Sequence, residues 1–188
     1  MSQRVTLHAP TLRLEARFLE AARRSRRLHR QFAHPPRTPG TFRELVRRAK
    51  DPRHECHLVL DAESKELVAV VNLNEIVRGS FQSAYLGYYA FEPWAGRGFT
   101  RAGLDLVLRR AFRELKLHRV EANIQPDNTR SIALVRGLGF RREGLSPRYL
   151  KIGGRWRDHE RWALLCEEWR SPRRGPQGVV EWKDAWTE

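Results

Sequence analysis

The stretch FEPWAGRGFT, residues 91–100, constrains this chain more than any other. Residues 83–91 leading into it have strand character. Those after it place Leu104, Val107, Leu108, Ala111, Phe112 and Leu115 at offsets of three and four, the spacing of an amphipathic helix. Gly96 and Gly98 mark the turn between. Strand, glycine turn and helix in succession aim backbone N–H groups and a helix N-terminus at one point, which suits a phosphate. Glycine lets the main chain approach an anion with no Cβ in the way. A G-x-G pair is common by chance, so this one gains weight only from its neighbours.

Those neighbours predict one α/β domain. Residues 5–17 alternate loosely and contain TLRLEAR, read as a first strand. Phe18, Ala21, Ala22, Leu28 and Phe32 fall at helical spacing, with Arg23, Arg24, Arg26, Arg27 and Arg30 between them. Pro35, Pro36, Pro39 and Gly40 end that helix in a loop, and Thr41 with Glu44 forms a capping box for a second helix reaching about Lys50. Strands follow at 54–61 and 67–77, joined by the turn AESK. Beyond the long helix, 119–125 alternates, with Val120, Ala122 and Ile124 on one face. Pro126 ends that strand, Asp127 or Asn128 caps a short helix, and Gly139 terminates it. Residues 140–152 and 155–166 form a last hairpin turning at Gly153-Gly154. At 188 residues the chain is the size of one domain; residues 1–170 are assigned to it, and 171–188 to a linker and a tail with Trp182 and Trp186.

Composition narrows the setting. No apolar run is long enough to span a membrane, and MSQRVTLHAP lacks the apolar core of a signal peptide, so a cytoplasmic protein is expected. Cys56 and Cys166 provide no metal or disulfide framework and are read as reduced, buried strand thiols. Lys and Arg number 36 against 22 Asp and Glu, a formal charge of +14, dominated by the residue that pairs bidentately with phosphate and carboxylate. Attraction to ribosomal RNA, an acidic protein or a phosphorylated cofactor is consistent with this; so is an arginine-rich codon bias.

Together these segments carry a family resemblance. The order β-α-α-β-β-β-α-β-α-β-β, with LGYYAFEPWAGRGFTRAGL and VEANIQPDNTRSIALVRGLGF, resembles the GNAT N-acetyltransferases. VRGSFQSAYLGY, PDNTRS, LGFRREG and YLKIGGRWRDH look like its Rim branch, the ribosomal-protein-alanine N-acetyltransferases of RimJ type, and the similarity runs from about Thr11 to Trp169. The resemblance implies a central, mixed, mostly antiparallel, twisted sheet of about seven strands flanked by four helices. It implies acetyl-CoA as co-substrate, no metal, and direct attack by a protein N-terminal α-amine in a ternary complex. The acceptor would be ribosomal, with an Ala or Ser N-terminus, and the enzyme a monomer or homodimer with possible ribosomal RNA contact.

The resemblance also assigns residues. Main-chain groups of Trp94, Ala95, Gly96, Arg97, Gly98, Phe99 and Thr100 would hold the diphosphate. Tyr89, Ala90 and Phe91 would pair with the pantetheine arm, one N–H also facing the developing oxyanion, a contribution of ~3 kcal/mol. Asn128 would face the cofactor amides and Ser131 the sulfur, with helix capping as the plain alternative. Arg101 stands where the family commonly has Glu and is read as solvated. Val135 stands where many members have a catalytic Tyr. Asp158 could hold a water or the acceptor amine; Glu121 is read as a surface strand residue. An α-amine, pKa near 8, needs only a modest base. Two competing readings stay open: transfer to a small amine such as an aminoglycoside or polyamine, and a non-catalytic acyl-CoA-binding protein associated with ribosomes or RNA.

Overall fold

A computed structural model describes residues 4–30 and 32–170. The linker and tail expected over 171–188 lie outside the described residues. The strands are β1 (Val5–His8), β2 (Glu55–Asp61), β3 (Leu67–Val77), β4 (Ser83–Ala90), β5 (Arg119–Ile124), β6 (Arg141–Ile152) and β7 (Arg155–Leu165). They form one seven-stranded sheet in the order β1-β2-β3-β4-β5-β7-β6. Every neighbouring pair is antiparallel except β4 and β5, which are parallel, so the mixed, mostly antiparallel sheet is as expected. The helices are α1 (Glu15–Arg24), α2 (Arg26–His29), α3 (Pro39–Arg48), α4 (Phe99–Arg109) and α5 (Thr129–Gly137).

Among the described residues there are five helices, not four, because Ser25 breaks the first. Its hydroxyl donates to the Ala21 carbonyl at 2.7 Å and accepts the Glu92 N–H at 2.9 Å, so the side chain competes with the helical ladder. The first strand is also shorter than expected. Pro10 ends it, and TLRLEAR becomes a 3-10 turn (Leu12–Leu14) running into α1; its loose alternation was the i, i+4 pattern of Leu14 and Phe18. The next helix starts earlier than the Thr41–Glu44 box implied. Thr38 caps it, with Thr41 bonding back, because Pro39 is pre-set for the first helical position.

Two cores sandwich the sheet. On one face α4 and α5 bury Leu104, Val107, Leu108 and Val135 against Val71, Leu73, Leu86, Val120, Ala122 and Trp162. On the other, Phe18, Ala22 and Phe42 of α1 and α3 cover Leu58, Leu60, Val70 and Phe91. α4 continues as a π-helical turn, Arg110–Glu114. There the Arg110 guanidinium donates to both Glu55 oxygens, at 2.8 and 2.7 Å. Burial pushes the Glu55 carboxyl up, but the hydrogen bonds from His57 and Arg110 outweigh it and hold the pKa at about 2.

One irregularity positions the site. β4 and β5 pair only at Ser83↔Arg119, Ala84↔Val120 and Tyr85↔Glu121, although the strands continue to Ala90 and Ile124. Past Tyr85 they no longer pair, and this leaves an opening on the side of β4 that leads to the turn into α4.

Candidate active site

The turn behaves largely as its glycines require. Gly96 and Gly98 have φ of 77° and 88°, the left-handed region where a Cβ is strained, and Gly98 is the N-cap of α4. A Cβ on Gly96 would meet nothing within 4 Å, so backbone conformation, not space, selects glycine there. No side chain caps α4 and its first turn has no acidic residue; the N–H groups of Gly98, Phe99, Thr100 and Arg101 therefore have no intrahelical partner. The Trp94 indole adds a buried Nε1–H with no partner among the described residues. Its ring meets Phe99 edge-on at 5.1 Å, and Arg97 lies over it at 5.8 Å. These donors suit an anionic group such as a diphosphate. Two of the expected donors are corrected: the main-chain N–H of Trp94 binds the Phe91 carbonyl and that of Arg97 the Trp94 carbonyl. Arg101 is exposed, as read, and its guanidinium also donates to the Gly137 carbonyl at 2.7 Å, tying the end of α5 to the start of α4.

Along β4 the antiparallel ladder decides which main-chain groups face the opening. The Phe91 N–H donates to Val68. By the alternation of such a ladder, Gly87, Tyr89 and Phe91 turn toward β3, while Tyr88 and Ala90 turn toward the gap. Of the three residues expected to pair with an extended ligand, only Ala90 is suitably turned; Tyr88 was missed. The Ala90 carbonyl accepts from His29 Nε2 at 2.8 Å. Burial lowers the His29 pKa, and donation to a carbonyl places a hydrogen on Nε2. Nothing local in the sequence marks this histidine, because its partner is 61 residues away.

Across the opening, on the α5 face, Asn128 Oδ1 accepts the Ser131 N–H at 3.3 Å as the N-cap of α5. Ser131 Oγ lies 2.5 Å from the Tyr88 hydroxyl, whose pKa burial pushes up to about 12. Asp158 is exposed on β7, and its Oδ1 accepts the Arg148 N–H at 2.7 Å across the β6–β7 bulge. Glu121 is paired with Arg119 at 2.8 Å. Cys56 is buried, its thiol raised to about 12, whereas Cys166 is exposed, past the end of β7, which corrects its reading as buried. It lies with His118 and Glu167 at the opposite end of β5 from the opening. No helix among the described residues is long and apolar enough to cross a membrane.

Residues 4–141 match the acetyltransferase (GNAT) domain model, and the chain belongs to that family. Its resemblance to the ribosomal-protein acetyltransferases holds as well. It is 40% identical over 111 residues to the [ribosomal protein uS5]-alanine N-acetyltransferase of Escherichia coli K12, a match covering 59% of this chain but only 57% of that relative. The spermidine N(1)-acetyltransferase of Vibrio cholerae is 26% identical over 166 residues, 88% of this chain and 95% of the relative. Among solved structures, Mycobacterium smegmatis RimJ in complex with CoA-disulfide superposes with a TM-score of 0.79 at 26% identity, over 89% of this chain and 87% of that one.

Proposed function

We propose that this protein transfers an acetyl group from acetyl-CoA to the N-terminal α-amine of a protein, a ribosomal one by its similarities, working in the cytoplasm. The observation that carries the reading is the parting of β4 from β5 directly beneath an uncapped helix N-terminus. The co-substrate supplies an acetyl group already activated as a thioester. The chain's own task is to bind, orient and move protons. The α4 N–H groups and Trp94 Nε1 hold the diphosphate, with Arg97 as the nearby cation. Main-chain groups of Tyr88 and Ala90 hold the extended arm. Ser131 Oγ, backed by a Tyr88 hydroxyl that stays protonated at neutral pH, delivers a proton to the departing sulfur. Asn128 shapes the α5 terminus that presents Ser131.

One observation keeps a small amine in view, the likeness to the spermidine enzyme over most of both chains. The charge of +14 opposes a polycation, and Arg23, Arg26 and Arg37 line a cleft of about 240 Å³ beside α1. Exposed arginines of α1 to α3 suit contact with ribosomal RNA. Incubating purified ribosomal proteins and spermidine separately with protein and acetyl-CoA, then weighing the products by mass spectrometry, tests the reading. One added acetyl group on an Ala- or Ser-initiated ribosomal protein is expected. Acetylation of spermidine alone would replace the protein acceptor, and acetyl-CoA binding with no acetylated product would leave a binding protein.

A further inference from the structure

On the α1–α3 face of the sheet, the row that crosses the mouth of the opening carries two asparagines. Asn72 on β3 is paired with Gly87 on β4, and Asn123 on β5 with Arg161 on β7. Carried two residues beyond Tyr85↔Glu121, the parallel register sets Gly87 level with Asn123. All four residues point to the same face, since their neighbours Leu73, Leu86, Ala122 and Trp162 are packed in the opposite core and side chains alternate along a strand. The two asparagines thus flank a glycine at the point where β4 and β5 separate. Each carries a side-chain carbonyl oxygen that is shielded from solvent and has no hydrogen-bond partner among the described residues. A buried acceptor left unpaired is uncommon enough to require a cause, and two in one row, either side of a gap, share one.

We infer that Asn72 and Asn123 are the positioning residues for the acceptor amine, their Oδ1 atoms taking its two N–H groups; this rests on the acetyl-transfer reading above. A neutral primary amine has two N–H donors and one lone pair. Two carbonyl oxygens that hold the donors leave the lone pair directed away from them, into the opening. An amide oxygen is too weak a base to take the proton itself, so the pair orients the nucleophile and lets water carry the proton off. An extended ligand lying between β4 and β5 would bond in the plane of the sheet to main-chain groups, whereas these oxygens stand out of that plane, on the face opposite Ser131. The two faces of the opening therefore have separate tasks. Gly87 leaves room for a neighbouring side chain: a Cβ there would approach Asn74 Nδ2 to 3.3 Å. Arg161, exposed at the end of the row, favours an acceptor with one amine over one with several positive charges.

Full-length Asn72→Leu and Asn123→Leu remove the accepting oxygens at similar volume, and Asn72→Asp and Asn123→Asp keep them. The acceptor KM is expected to rise about tenfold or more in each leucine variant and to stay within about threefold in each aspartate variant. The Kd for acetyl-CoA, read by calorimetry, should change by less than about twofold in all four. A leucine variant with the wild-type KM, or one whose only loss is acetyl-CoA affinity, overturns the inference; the first result would mean that the oxygens face ordered water only. Where a leucine variant does not fold, the unaltered protein decides. With isotope-labelled asparagine and CoA bound, the Asn72 and Asn123 side-chain amide signals should shift on adding an Ala-initiated peptide and not its N-acetylated form; equal responses to both contradict the assignment. The kinetics are run with the Ala-initiated peptide and with spermidine. Which amine is turned over tests the choice of acceptor, and the leucine effect on that amine tests this one. Were neither acetylated, the side-chain signals alone would decide.

Discussion

Arg101 sits in the first turn of α4, where a cation opposes the helix dipole, yet its guanidinium is used on the Gly137 carbonyl. Arg101→Ala should lower stability by ~1 kcal/mol, the net worth of one such hydrogen bond, while leaving acetyl-CoA affinity within about twofold. Chemical denaturation and calorimetry on the same sample separate the two; a large loss of affinity with unchanged stability would place the residue on the phosphate instead. Gly98→Ala should do the reverse. At a φ of 88° a side chain costs ~1–2 kcal/mol, and relieving that strain turns the first N–H groups of α4 aside, so acetyl-CoA binding weakens. Wild-type affinity in that variant would show that the turn has another purpose. Residues such as Gly96, Gly98 and Asn128 could be read from the chain because their requirements are local: a left-handed φ, a helix cap. Arg101, Tyr88 and His29 could not, since each takes its meaning from a partner far away in sequence.

At the scale of elements, α4 is fixed to the sheet by the absence of a side chain. A Cβ on Gly103 would lie 2.8 Å from Val59 Cγ2, and a β-branched side chain on a central strand has little room to withdraw. Gly103→Ala gains ~1 kcal/mol of helix propensity but forces an overpacking cost of ~1–3 kcal/mol, so net destabilisation is expected in urea denaturation. Adding Val59→Ala should cost less than the sum of the two single changes, the sign of a shared contact; strict additivity would argue that helix and strand do not touch there. The long strands and α4 could be anticipated because their periodicities are strong. The break at Ser25, the cap at Thr38 and the π-helical turn after Arg109 could not: the first depends on Glu92, and the last places Arg110 against Glu55 from another strand. Likewise, the parting of β4 and β5 follows from register, which the alternation of 119–125 cannot convey.

For the whole molecule, acid is the weak point. Burial first of all lowers the pKa of His29, His54 and His159. For a group whose folded pKa lies below its unfolded value of 6.5, the unfolded chain takes up protons that the folded chain refuses as pH falls. Stability is therefore retained above about pH 6.5 and declines below it. Glu55 adds to this in a lower window: with a folded pKa of about 2 against 4.5, its contribution is complete above 4.5 and is lost as pH falls toward 2. Thermal melts from pH 8 to pH 4 should show a falling Tm beginning near about pH 6.5; a flat profile to pH 5 would mean that those histidines are protonated in the folded protein.

The central claim is that the uncapped N-terminus of α4 receives the diphosphate of acetyl-CoA above the gap between β4 and β5. Isothermal titration with acetyl-CoA and, separately, with acetyl-pantetheine, which has the thioester arm but no diphosphate, tests it. Tighter binding of acetyl-CoA by about a hundredfold or more is predicted, with the difference shrinking as salt is added. Equal affinity for both ligands, or no heat with either, would contradict it.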